Sequence, residues 1–346
     1  MSLKYTAIRA MFEALWLSRL PSLVRALSKS RGVIFTLHRV LPDDPEDFAP
    51  NSILQVKPDF LEYVIERMRD LGIDIVSLDE ALERLAAPGK GRPFVVLTFD
   101  DAYKDNLEYA LPILHRHDAP FTLYVPTALV DGVGELWWQA IEDIITHQQA
   151  IALTTNGEKD YVDTLTVAEK TDAFNTLYWQ MRKMPEADRV QLVRSFAAAY
   201  GYDLEKQCRD LIMDWQQVRL FAEDPLCTIG AHTVHHYELS KLSPEHARSE
   251  MKQSADVLVA QLGERPAHFS YPLGGPLSAG EREFALAREL GFKSAVTTRP
   301  GGLYPHHAAN PHALPRVSLN GLFQSRRYVD VFASGAIFSA MGKLTG

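Results

Sequence analysis

Short β-branched apolar runs alternate with segments of helical period along most of this chain. That alternation limits the fold more than any other feature. GVIFTLHRVL (Gly32 to Leu41), FVVLTF (Phe94 to Phe99), APFTLYVP (Ala119 to Pro126), LCTIGAH (Leu226 to His232), HFSYPLG (from His268), SAVTT (from Ser294) and ALPRVSL (from Ala313) read as buried strands. Helical patterns separate them, from about Pro58, over Asn106 to His117, over Pro244 to Leu262 and over Ala279 to Leu290. Strands alternating with helices imply βαβ units and a parallel sheet. From Asp131 to Phe221 the texture becomes mainly helical, with a polar separator around Thr154 to Asp160. We read that stretch as an insertion. Without it roughly 200 residues of β/α repeats remain, near the lower end for a (β/α) barrel.

The division expected is residues 1–31 as an amphipathic N-terminal helix and 32–130 as the first part of the barrel. Residues 131–221 are the insertion, 222–325 the second part of the barrel and 326–346 a C-terminal segment. The net charge of −8 argues against nucleic acid, which selects basic surfaces. Two cysteines without a CxxC spacing argue against a structural zinc site or a disulfide framework. No apolar run reaches the ~18 residues of a membrane span. The N-terminal stretch lacks the apolar core and cleavage site of an export signal, so a cytoplasmic location is expected. Its helix has two readings: packed on the domain, or in peripheral contact with an anionic membrane.

The chemistry concentrates at strand ends. His38, Asp100, Asp101 and His232 all follow strands directly, at the end where barrel enzymes keep their reactive groups. Adjacent carboxylates repel, so a nearby cation is expected at Asp100 and Asp101. Alone, the pair reads equally well as a helix N-cap. GAHTVHHYELSKL places His232 and His236 four residues apart, on one face if that segment is helical. Two imidazoles with one carboxylate form an ordinary divalent-metal shell that leaves positions open, as in catalytic sites. Asp101 is the candidate carboxylate, which leaves Asp100 as a general base for a water acidified by the ion.

TFDD at Thr98 to Asp101, LPIL at Leu111 to Leu114, and His232-Thr233 with His236, Leu239, Ser240 and Leu242 together resemble the motifs of the polysaccharide deacetylase family. This is carbohydrate esterase family four, with the NodB-type domain. The resemblance implies a deformed (β/α)7 barrel and metal-dependent removal of N-acetyl groups from an amino-sugar glycan or its lipid- or nucleotide-linked precursor. An amidohydrolase or deformylase acting on a different C–N bond of the same scaffold is the alternative. Asp100 is then the base, and Asp101, His232 and His236 hold the ion. Zinc is the default, and nickel, cobalt or iron fit the same ligands. SYPLGG stands where the family has a Pro-Tyr-Gly motif. It gives Tyr271, Leu273 and Gly274 oxyanion or substrate roles, with the Leu273 N–H as the oxyanion donor.

The sequence departs from the family pattern in four places. Ala102 replaces a glycine, and Tyr237 replaces a frequent proline. Ser270 stands at the place of a base-orienting arginine, with Arg316 as the candidate substitute. The last strand carries no acid histidine. VIFTLHRV resembles the first strand of a circularly permuted branch of the family, which assigns the catalytic acid to His38, with His307 or His312 as fallback. Trp137 and Trp138 read either as a sugar platform or as core of the insertion.

Overall fold

The computed structural model describes residues 3–18, 29–89, 91–155, 158–335 and 337–338. The apolar runs form β1 (Gly32–Leu37), β5 (Phe94–Phe99), β6 (Phe121–Val125), β9 (Cys227–Ala231), β10 (His268–Ser270), β11 (Ser294–Val296) and β12 (Val317–Ser318). All pair in parallel, in the order β11-β10-β9-β6-β5-β1-β12. The short β4 (Asp74–Ile75) pairs with the start of β5, and outside this sheet β2 (Arg39–Val40) pairs with β3 (Gln55–Val56). The ends of the path meet through Leu314, which donates to the Ala295 carbonyl at 3.0 Å and accepts from the Thr297 N–H at 2.8 Å. This is a deformed (β/α) barrel.

Two cores explain why the strands read as unbroken apolar runs. Ile34, Val96, Tyr124, Val296 and Leu314 cluster inside the barrel, together with Leu78, Ala81 and Leu85 of the helix Leu78–Ala86. Val33, Phe35, Leu37, Val95, Leu97, Phe99, Leu123 and Phe269 face outward, under the helical layer. A sheet covered on both faces shows no polar alternation. One glycine is required inside: a Cβ on Gly230 would fall 2.4 Å from the Tyr124 ring. The interior changes from apolar to polar towards the strands' C-terminal ends. Ile34 lies level with Val96 and Thr36 with Thr98. The next inward position, just past β5, is Asp100.

The insertion holds the helices Trp137–His147, Val167–Lys183, Glu186–Ala199, Leu204–Leu211 and Trp215–Ala222. It is not wholly helical. The stretch expected as a polar separator belongs to an antiparallel hairpin, β7 (Ala150–Thr155) with β8 (Glu158–Asp163). On β7 the buried Ile151 and Leu153 alternate with less buried neighbours. Its partner EKDYVD is too polar and too short of β-formers to announce a strand by itself.

The N-terminal helix, Leu3–Leu17, packs on the domain. Phe12 sits among the rings of Phe323, Tyr328, Phe332 and Phe338 at 5.3–6.0 Å. Arg9 donates to the Leu322 carbonyl at 2.9 Å. Tyr5, Ile8, Met11 and Leu15 lean on the same core, so most of the apolar face expected to meet a membrane is covered by protein. Residues 19–28 of this expected segment lie outside the described residues. Among the described residues, no helix is long and apolar enough to cross a membrane.

Candidate active site

The strand-end carboxylates point to different partners because the chain turns sharply between them. Asp101 has φ 73° and Ala102 φ 57°, the left-handed region that costs side-chain-bearing residues about 1–2 kcal/mol each. Both aspartates are 2% exposed.

Asp100 continues the β5 ladder, its N–H donating to the Leu37 carbonyl at 3.0 Å. Arg316 meets its carboxylate with two parallel bonds, Nη1 to Oδ1 at 2.8 Å and Nη2 to Oδ2 at 2.7 Å. The Arg316 guanidinium is itself held by the Thr297 carbonyl at 2.9 Å and by the Thr98 and Ser270 hydroxyls at 3.1 Å. Ser270 donates in turn to Asp100 Oδ2 at 3.3 Å. Burial pushes the Asp100 carboxyl up, but Arg316 outweighs it and holds the group well below the usual carboxylate range. Ser270 and Arg316 thus share the place where one arginine was expected.

Asp101 faces the two histidines. Its Oδ1 lies 3.5 Å from His232 Nε2 and 3.3 Å from His236 Nε2, and it has no hydrogen-bond partner among the described residues. Those separations are too long for charge-assisted hydrogen bonds, which run at about 2.7–2.9 Å. They suit a shared ion: bonds of about 2.0–2.1 Å around a tetrahedral centre set ligand atoms about 3.4 Å apart. Asp101, His232 and His236 are all buried, with ligand atoms close enough to grip one ion.

His232 presents Nε2 because Nδ1 lies 2.7 Å from the Ser270 carbonyl, which can only accept. The proton therefore sits on Nδ1, leaving the Nε2 lone pair for a ligand, a common arrangement of metal-binding histidines. Burial lowers the His236 pKa to about 3, with His232 and Arg189 adding to the shift against the two aspartates, so its ring is neutral. Burial also lowers His232, but Asp101 and Asp100 outweigh it and raise that ring. Asp101 is pushed up by burial and, more strongly, down by the surrounding imidazoles of His236, His38 and His232.

The histidine segment is not the helical turn that the four-residue spacing suggested. Thr233 (φ 63°) and His236 (φ 57°) are left-handed, and the Thr233 hydroxyl accepts the His236 N–H at 3.0 Å. The Thr233 and Val234 carbonyls accept from Thr127 and Ala128 at 3.2 and 2.9 Å, tying the loop to the end of β6. His235 points away, with Nδ1 2.6 Å from Glu250 Oε1.

His38 follows β1 directly. Asn106 Nδ2 holds its carbonyl at 3.0 Å, and the neighbouring Arg39 pairs with buried Asp105 at 2.8 Å. The His38 imidazole is close enough to help lower both Asp100 and Asp101. His307 and His312 are engaged elsewhere. His307 Nδ1 accepts the Tyr304 N–H at 2.9 Å, and His312 Nε2 donates to the Phe292 carbonyl at 2.8 Å.

On the turn after β10, Leu273 has φ 60° and its N–H has no acceptor among the described residues. Its carbonyl takes the Thr298 hydroxyl at 2.6 Å, and Gly274 donates to the Pro272 carbonyl at 2.6 Å. A Cβ on Gly274 would fall 2.6 Å from the Thr298 nitrogen. Tyr271 does not join the site. Strand alternation turns it outward, against Phe269 and Phe284, and its hydroxyl donates to the His312 carbonyl at 2.9 Å.

The tryptophans are core, not an open platform. Trp137 is 2% exposed and Trp138 6%. Trp137 stands against Tyr178 at 5.2 Å, while Trp138 backs the His236 ring at 5.0 Å and donates to the Tyr103 hydroxyl at 3.2 Å. Sequence reasoning did not single out Tyr103, Asp105 or Asn106. Their signal was position: each lies within one or two turns of Asp101.

Comparisons with known proteins bear on the fold and the family. PplD, a Streptococcus pyogenes deacetylase solved in complex with acetate, superposes with a TM-score of 0.58 at 20% identity, over 87% of this chain and 97% of that one. IcaB from Ammonifex degensii gives a TM-score of 0.54 at 17% identity, over 88% and 97%. These likenesses establish the fold. A Bacillus subtilis (strain 168) protein named among the polysaccharide deacetylases, YxkH, is 31% identical over 86 residues. That stretch is 23% of this chain and 30% of the relative's length. The polysaccharide deacetylase family profile matches residues 87–295, more than half of the sequence, and the chain belongs to that family.

Proposed function

We propose that this protein is a metal-dependent hydrolase that removes N-acetyl groups from an amino-sugar glycan or its lipid- or nucleotide-linked precursor. One observation carries the reading: a buried carboxylate oxygen without a hydrogen-bond partner among the described residues, at ligand spacing from two imidazole nitrogens. Asp101, His232 and His236 would hold the ion, with zinc as first choice for this donor set. When bound, such an ion polarises the acyl carbonyl and acidifies a water.

The chain's own groups do the rest. Asp100, kept ionised by Arg316, takes the proton of the attacking water. The Leu273 N–H donates to the oxyanion as the tetrahedral carbon forms. His38 returns a proton to the leaving amine, without which a free amine is a poor leaving group. The products are acetate and a glucosamine-type amine.

The test is acetate release from acetylated chito-oligosaccharides and from lipid-linked acetylamino sugars, with and without chelator. Formylated and other acylated amines belong in the same panel. Release that stops with chelator and returns with Zn2+ supports the reading. An inert chain that carries a full complement of metal overturns it.

A further inference from the structure

The insertion meets the barrel through buried charge. Glu186 and Arg189, each 3% exposed, open the helix Glu186–Ala199 and pair with one another. Arg182 lies at the end of the preceding helix. Glu238, 2% exposed, stands two residues after His236. Its N–H donates to Glu186 Oε1 at 3.3 Å. Its carboxylate takes Arg182 Nη2 at 3.3 Å and Lys241 Nζ at 2.7 Å. Lys241 donates onward to the Arg182 carbonyl at 2.8 Å. Arg189 also covers the rings of Trp137 at 5.4 Å and Tyr237 at 5.6 Å.

Glu238 reaches a third element. The Ser278 hydroxyl donates to its Oε1 at 2.8 Å. Ser278 lies on the loop that begins at Leu273. The same loop is tied again to the histidine segment by the Ser240 N–H on the Ser278 carbonyl at 3.2 Å and the Ser240 hydroxyl on the Leu277 carbonyl at 2.5 Å. One buried carboxylate therefore joins the insertion, the segment carrying His236 and the loop carrying the Leu273 N–H.

Burying so many ions costs several kcal/mol apiece, and well-packed apolar side chains hold helices together at least as well. What apolar packing supplies poorly is a fixed distance, which directional bonds to a carboxylate do supply. The left-handed Thr233 and His236 need such support, because strained backbone persists only where its surroundings over-determine it.

We propose that Glu238 is a positioning residue: braced by the insertion, it sets the separation between the His232–His236 loop and the Leu273 turn. The inference rests on the function proposed above. The test uses the full chain and its Glu238→Gln and Ser278→Ala variants, with melting temperature as the folding control. Zn2+ affinity is read by chelator competition and geometry by the visible band of the Co2+-loaded chain. Glu238→Gln loosens the histidine segment: Zn2+ affinity falls about 10–100-fold and the Co2+ band shifts. Ser278→Ala removes only the tie from Glu238 to the turn and leaves those from Ser240: kcat falls, while KM, Zn2+ affinity and the Co2+ band stay as in the wild type. A Glu238→Gln chain equal to wild type in affinity, band and turnover overturns the proposal. If that variant fails to fold, wild-type kcat in Ser278→Ala overturns it instead. A wild-type chain that binds no Zn2+ overturns the function reading, a result distinct from either.

Discussion

Arg316 and Asp100 lie 216 residues apart in sequence and meet through two parallel bonds of 2.8 and 2.7 Å, both side chains buried. The guanidinium keeps a desolvated carboxylate ionised and fixes the plane of its oxygens.

Arg316→Met therefore changes the pH profile as well as the rate. As the proposed base, Asp100 would act only when ionised, and Arg316 lowers its pKa. Without that charge burial prevails, the pKa rises, and the acidic limb of kcat/KM moves to higher pH. Stability responds with the same sign. A depressed carboxylate stabilises the fold above its unfolded pKa of about 3.9, and that contribution is lost as pH falls towards the folded value. The variant should also lose about 3–5 kcal/mol in denaturant titrations, the penalty for leaving one partner of a buried pair alone. Arg316→Lys should not restore the profile, because a point charge cannot bridge both oxygens.

Asp100→Asn separates the base from the ion site. Turnover is expected to fall about 10²–10⁴-fold while Zn2+ affinity stays near wild type. Calorimetric Zn2+ titration beside an acetate-release assay reads both. Parallel loss of affinity would show that Asp100 is a ligand.

Asp101→Ala and His236→Ala should each lose the ion. After dialysis, elemental analysis is expected to find zinc in the wild type and none in either variant, with circular dichroism unchanged. His235→Ala is the control: its imidazole faces Glu250, so the zinc content stays at the wild-type level.

His38→Ala tests the acid. Amide hydrolysis should slow about 10²–10⁴-fold, whereas a 4-nitrophenyl acetate ester, whose leaving group needs no proton, should react at a rate close to wild type. Equal losses on both substrates would give His38 another role.

Phe12→Ala tests the docking of the N-terminal helix. Phe12 is 3% exposed among four aromatic rings, so a loss of about 3–5 kcal/mol is expected in chemical unfolding. A much smaller loss would show that the helix is loosely held.

The barrel strands were legible because burial on both faces leaves an unbroken β-branched run such as FVVLTF, and because turns and helices punctuate the runs. The meeting of Asp101 with His232 and His236 was legible in part, because Asp101 and His232 stand just past strand ends. What stayed hidden was direction. Spacing alone put His232 and His236 on one helical face, whereas two left-handed residues bring their rings together. Tyr271 looked like a site residue from its neighbours, yet its side chain follows the strand's alternation to the opposite face. The tryptophan pair was ambiguous, since aromatic residues serve cores and sugar platforms alike. Glu186, Arg189 and Glu238 were not singled out in the sequence, because only tertiary packing reveals that they pair and are enclosed.

Among the described residues, six side-chain-bearing positions have positive φ, and five of them (Asp101, Ala102, Thr233, His236 and Leu273) lie at this site. Glycine adopts that conformation freely, so each position holds a more comfortable replacement that the chain has not taken. Where the side chain itself is used, as at Asp101, Thr233 and His236, heat resistance and turnover are then set against each other. A descendant freed from the need to work would be expected to drift towards glycine there and to melt later than its active parent.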